Sequence, residues 1–192
     1  MHELTSNGRE LGQTIKTFVG AHGESVAGIM AKMGKLKLNA YFSGKFAAFT
    51  SSSEIASSIG NVVASLDTKA SNGHTNAYAL NISTNNLNLG HIIDSKEVGN
   101  VTGALKSVGA TEGRLVKSST TEANFSSFYI HGYDYKDIAL TLNREGKLYD
   151  YLVRVNSRDA NFTCAGSYNF GTTPSVSSCT NCGLVDIFIA LR

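Results

Sequence analysis

The sequence predicts an α+β fold: a mainly antiparallel β-sheet or sandwich in the C-terminal two-thirds, an N-terminal amphipathic helix and two further helices. Three observations carry this. From about residue 113 the chain reads as short β-prone runs separated by polar turns. Before that point, apolar residues recur at helical spacing in three segments. The composition holds 22 Ser, 16 Thr, 16 Asn and 19 Gly among 192 residues, with 17% charged, against roughly 25% charged in an average globular chain. That mixture favours strands joined by polar turns. A chain of this length buries about 70% of its unfolded surface and needs no disulfide or metal to fold.

Taken in order, the first element is the helix. Leu11, Ile15, Phe18, Val19, Val26, Ile29, Met30 and Met33 fall on one helical face, interrupted near Gly20 and Gly23. Residues 1–33 read as a helical arm, or as a helix packed on one α+β domain spanning 34–192. "KLKLNAYF" then alternates, with Leu36, Leu38, Ala40 and Phe42 on one side and Lys35, Lys37, Asn39 and Tyr41 on the other, which marks a strand.

The second helix is expected in "SSSEIASSIGNVVASLD". Ser51 and Glu54 have capping-box spacing, and Ile55, Ile59, Val62, Val63 and Leu66 form a stripe. "TNAYALNIST" reads as a strand. A third helix is expected from Ser95, through Val98, Val101, Leu105 and Val108, to Gly109. "NFSSFYIHG", "DIALTLN", "KLYDYLVRV", "NFTCAGSYNFG" and "LVDIFIAL" supply the later strands. The turn "NREGK" places Gly146 where a positive φ is needed.

Few residues suggest chemistry. Cys179 and Cys182 form a Cys-x-x-Cys near the C-terminus, with Cys164 fifteen residues before the first. A structural zinc site takes four ligands, and no histidine has the spacing to complete one, so no metal is expected. The pair precedes Gly183 and a β-prone run rather than a helix, so nothing lowers a thiol pKa for redox work. Packing thiols come first, and a disulfide from Cys164 to Cys179 or Cys182 second. No cofactor is implied, because no phosphate loop, dinucleotide fingerprint, nucleophile elbow or metalloprotease motif occurs.

"YIHGYDYKD" gathers Tyr129, His131, Tyr133, Asp134 and Tyr135. Its Gly and Asp suit a turn between strands. A patch for contact with a partner or ligand is the second reading, and acid–base work by His131 with Asp134 the third. Lys32, Lys35, Lys37 and Lys45 lie in a segment without acidic residues between Glu24 and Glu54. A solvated face explains them, and a polyanion or anionic surface is the alternative. The stretches "LNAYFSG" and "FYIHGYDY" faintly resemble the layout of actinoporin pore-formers, but the chain has no Trp and its spacing differs, so no family is assigned on them.

The net charge of +2 does not point to nucleic acid as a partner. The start lacks a cationic region followed by an apolar run, so synthesis in the cytosol without a signal peptide is expected. The function expected from these features is that of a non-enzymatic structural subunit that binds copies of itself, as in a virion, tail or filament. Its final location would be a virion or an extracellular assembly. A membrane-active or ligand-binding module using the basic N-terminal segment, and an enzyme with a composite site around His131, are the alternatives.

Overall fold

Twelve strands pair into one antiparallel sheet, and nearly every strand lies beside its neighbour in sequence. The computed structural model describes residues 2–10, 12–13, 23–45, 48–70, 75–113, 115–158, 160–169 and 175–180. The strands are β1 (His2–Asn7), β2 (Lys35–Lys45), β3 (Ala48–Ser57), β4 (Gly60–Ala70), β5 (Thr75–Asn88), β6 (Val98–Glu112), β7 (Leu115–Ile130), β8 (Tyr133–Tyr135), β9 (Ile138–Glu145), β10 (Leu148–Asn156), β11 (Asn161–Asn169) and β12 (Ser175–Thr180). The spatial order follows the chain, except that β7 pairs with both the short β8 and β9. The mainly antiparallel, β-rich architecture expected from the sequence is therefore present, and it extends to residue 2, well before the C-terminal two-thirds.

Among the described residues, α-helix is confined to residues 8–10, 12–13, 23–32 and 89–93. α1 spans Gly23–Lys32, within the expected N-terminal helix; residues 11 and 14–22 lie outside the described residues. α2 is a single short turn, Leu89–Ile93, capped by the Asn88 side chain, which accepts from the His91 N–H at 2.9 Å. Both gather at one end of the sheet. The Lys32 ammonium donates to the Ile92 carbonyl at 2.6 Å and pairs with Asp94. There Met33 and Leu36 are almost fully buried.

The two further helices are corrected to strands. Residues 51–67 form β3, a tight turn and β4, with Ser57 opposite Gly60. Ser is a poor helix former and Ile and Val are β-branched, so propensity opposes the helix that the spacing suggests. Gly60 sits at φ 125, and a Cβ there would meet Asn86 O and Leu87 Cα at 2.5 Å. Residues 98–109 belong to β6. Gly99 and Gly103, inside the expected helix, would each cost it about 1 kcal/mol relative to Ala. Ser95 caps no following helix and instead accepts from the Glu97 N–H.

The segments expected as strands at 35–42, 75–84, 124–132, 137–143, 147–155 and 161–171 fall on β2, β5, β7, β9, β10 and β11, which end within them at Ile130 and Asn169 and begin within them at Ile138 and Leu148. Gly146 turns β9 into β10 at φ 60. "LVDIFIAL" lies outside the described residues.

Candidate functional site

The register sorts the sheet into two chemically distinct faces, because cross-strand partners point the same way. One ladder runs through Leu38, Ile55, Val62, Thr84, Gly103, Phe125, Ile138 and Val155, each paired with the next. The adjacent ladder on that face runs Ala40, Ser53, Ala64, Ile82, Leu105, Ala123, Leu140, Val153 and Cys164. Residues between these points face the other way and include Lys35, Lys37, Glu54, Asp67, Lys106, Glu122, Asp150 and Arg154. Among the described residues paired in β2–β11, Arg144 is the one charge on the apolar face. It lies at the margin, with its guanidinium 5.1 Å from the Tyr149 ring centre and its Nε donating to the Gly146 carbonyl.

The apolar face is the sheltered one, and identical residues show it. Ser51 and Ser53 are half-buried while Ser52 is exposed. Thr121 is half-buried while Thr120 is exposed, and Val62 is half-buried while Val63 keeps 46% of its surface. Ala123, on β7 in the interior of the sheet, and Cys164, on β11 next to the last strand, are 1% and 3% exposed. Burial pushes the phenol of Tyr151 above its ordinary pKa, with a smaller push from Cys164. The helices pack at the end of the sheet rather than across this face.

Several hydroxyls on this face bond within the sheet. Ser107 Oγ lies 2.8 Å from Thr121 Oγ1 and 3.3 Å from the Tyr78 hydroxyl. Ser51, Thr68, Thr84 and Thr111 each donate to a backbone carbonyl of the sheet. No described buried side-chain polar atom lacks a partner. Two aromatic side chains lie across cross-strand glycines: Tyr78 over Gly109 and Phe125 over Gly103, where a Cβ would sit 2.9 and 2.6 Å from the ring. Gly in these positions keeps the rings low against the sheet.

The residues singled out in the sequence fall elsewhere. His131 and Gly132 form a two-residue turn at φ 50 and 89 between β7 and β8, so the expected turn is there. Tyr133 and Tyr135 lie beside each other on the apolar side, with ring centres 6.1 Å apart and planes tilted by 41°, while Tyr129 pairs with Asp134 on the opposite side. His131 is exposed, 3.5 Å from Glu97. Asp134 accepts from Lys136 and Ser127, and the Lys136 hydrogen bond in the first place holds its carboxyl below the ordinary range. These groups line the outside of a hairpin tip.

The four lysines do not form one patch. Lys32 is tied to α2, while Lys35, Lys37 and Lys45 lie along the polar face of β2, the first and last about 33 Å apart at 3.3 Å per residue. Cys164 is a buried free thiol on β11, and its register partner is Cys179 on β12. Cys182 lies outside the described residues. What sequence reading missed is the continuous apolar face itself. Its signal was alternation in which Ser, Thr and Gly occupy many of the inward positions. No protein-family model matches the chain, and no match is found among the curated proteins or the solved structures.

Proposed function

We propose that this protein is a non-enzymatic structural subunit of a homo-oligomeric assembly, of the kind that builds a virion, tail or filament. The single observation that supports it most is a broad, almost charge-free sheet face that the described helices leave uncovered. Isolated single-layer sheets do not persist with such a face in water, because each domain needs a second layer to close its core. Copies of the same chain are the partner always present at sufficient concentration. Cytosolic synthesis followed by incorporation into such a particle or extracellular assembly is part of the same reading.

The polar groups at the β7–β8 tip and the lysines of β2 then serve as solvated exterior or as secondary contacts between copies. Negative-stain electron microscopy of the purified full chain tests the proposal. Regular particles or fibres of uniform width are the expected result. Dispersed monomers under all solution conditions that preserve the fold contradict it.

A further inference from the structure

We infer that the apolar sheet face is itself the self-association surface: two copies stack these faces to make a two-layer sandwich with the charged faces outside. The inference rests on the proposal of a homo-oligomer and names its contact. Three properties of the face carry it.

The first is size. Nine principal strands, β2 to β7 and β9 to β11, at about 4.8 Å spacing and some eight residues deep give a face of roughly 1,100 Å². A stable pair of proteins buries about 800 Å² on each partner. A small apolar ligand would leave most of such a face wet, whereas a second sheet of the same dimensions covers it.

The second is the state of the polar atoms. Removing water from a hydroxyl that has lost its partner costs about 1–3 kcal/mol. On this face the hydroxyls of Ser51, Thr84, Ser107 and Thr121 already bond within their own sheet. They ask nothing of the molecule that covers them, so an apolar partner surface suffices. The identical face of a second copy is such a surface.

The third is relief. With Tyr78 across Gly109 and Phe125 across Gly103, aromatic bulk is laid along the sheet rather than raised from it. Low relief suits face-to-face sheet packing, in which the two layers sit about 10 Å apart.

A photo-reactive phenylalanine analogue at Tyr151, on the apolar face, or at Tyr41, on the polar face, tests this in the full chain. Circular dichroism first confirms that both proteins keep the sheet. Position 151 should cross-link to a second copy and position 41 should not. In parallel, Leu140→Lys should weaken association by on the order of a hundredfold, while Thr120→Lys, on the opposite face, leaves it unchanged. Oligomers that cross-link from 41 and not from 151 overturn this inference and leave the oligomer proposal standing. Monomers throughout overturn both. Monomers that co-float with lipid vesicles overturn both in favour of a membrane surface.

Discussion

Ser107 and Thr121 face each other across the β6–β7 ladder, with their side-chain oxygens 2.8 Å apart in the middle of an otherwise apolar sheet face. Tyr78 extends the pair from β5. Ser107 is 7% exposed, so its hydroxyl depends on these neighbours rather than on water. Thr121→Val should cost about 1 kcal/mol in urea unfolding, and Ser107→Ala a similar amount, because each leaves the other oxygen less well bonded. The double variant should lose clearly less than the sum. Strict additivity would show that the two hydroxyls act independently.

The β7–β8 tip gives a sharper backbone test. Gly132 sits at φ 89 and His131 at φ 50. Gly132→Val should cost about 1–2 kcal/mol, since a branched L-residue resists the left-handed region. His131→Gly should cost nothing or stabilise, because glycine accepts positive φ freely. Thermal melts of the two variants compare these effects. A large loss from His131→Gly would mean that the imidazole, rather than the turn geometry, matters at this position.

Asp134 provides the pH dependence. Hydrogen bonds from Lys136, first, and Ser127 hold its carboxyl below its ordinary pKa in the folded protein. A depressed folded-state pKa stabilises the fold above the unfolded value, about 4, and that contribution is lost as pH falls through the folded value. An NMR titration of the Asp134 side chain should therefore show a midpoint below the usual aspartate range. Lys136→Met should move it upward. An unchanged midpoint in that variant would remove the ion pair as the cause.

Cys164 and Cys179 are direct partners across β11 and β12. Opposed residues of an antiparallel pair have Cβ atoms about 4.5–5.5 Å apart, close to the range a disulfide spans. Treatment with a mild thiol oxidant should link Cys164 to Cys179, read by fragment mass spectrometry of a linked chymotryptic peptide pair because no Lys or Arg lies between the two cysteines, and stabilise the sheet by about 2–4 kcal/mol. A product linking Cys164 to Cys182 instead would place the last strand in another register.

The sequence made the later strands legible because apolar residues there alternate without interruption, as in "KLYDYLVRV". It misled over residues 51–67 for a geometric reason. Ile55 and Val62 are direct cross-strand partners about a two-residue turn, so they lie seven residues apart, the spacing of two helical turns. Ser51 and Leu66 are likewise partners at fifteen, close to four helical turns. A tight hairpin thus imitates a helical stripe. In β6 the pairing with β7 shifts between Val98 and Val101, which breaks strict alternation, and Val108 lies on the polar face, 41% exposed. The apolar face stayed hidden because Ser51, Ser53, Ser107 and Thr121 hold inward positions that composition counts as polar. Their bonding inside the sheet appears only once the register is known. The lysines and the Tyr–His segment were conspicuous in sequence, but a strand separates Lys35 from Lys45, and a turn presents His131 to solvent.

The central claim is that this protein associates with itself through the apolar face that the described helices leave uncovered. Sedimentation equilibrium of the full chain, across concentrations that bracket its working range, tests it most directly. The account predicts masses at multiples of 20.4 kDa, with association abolished or strongly weakened by Leu140→Lys and retained by Thr120→Lys. A single species of 20.4 kDa at every concentration, with the sheet intact by circular dichroism, would contradict it.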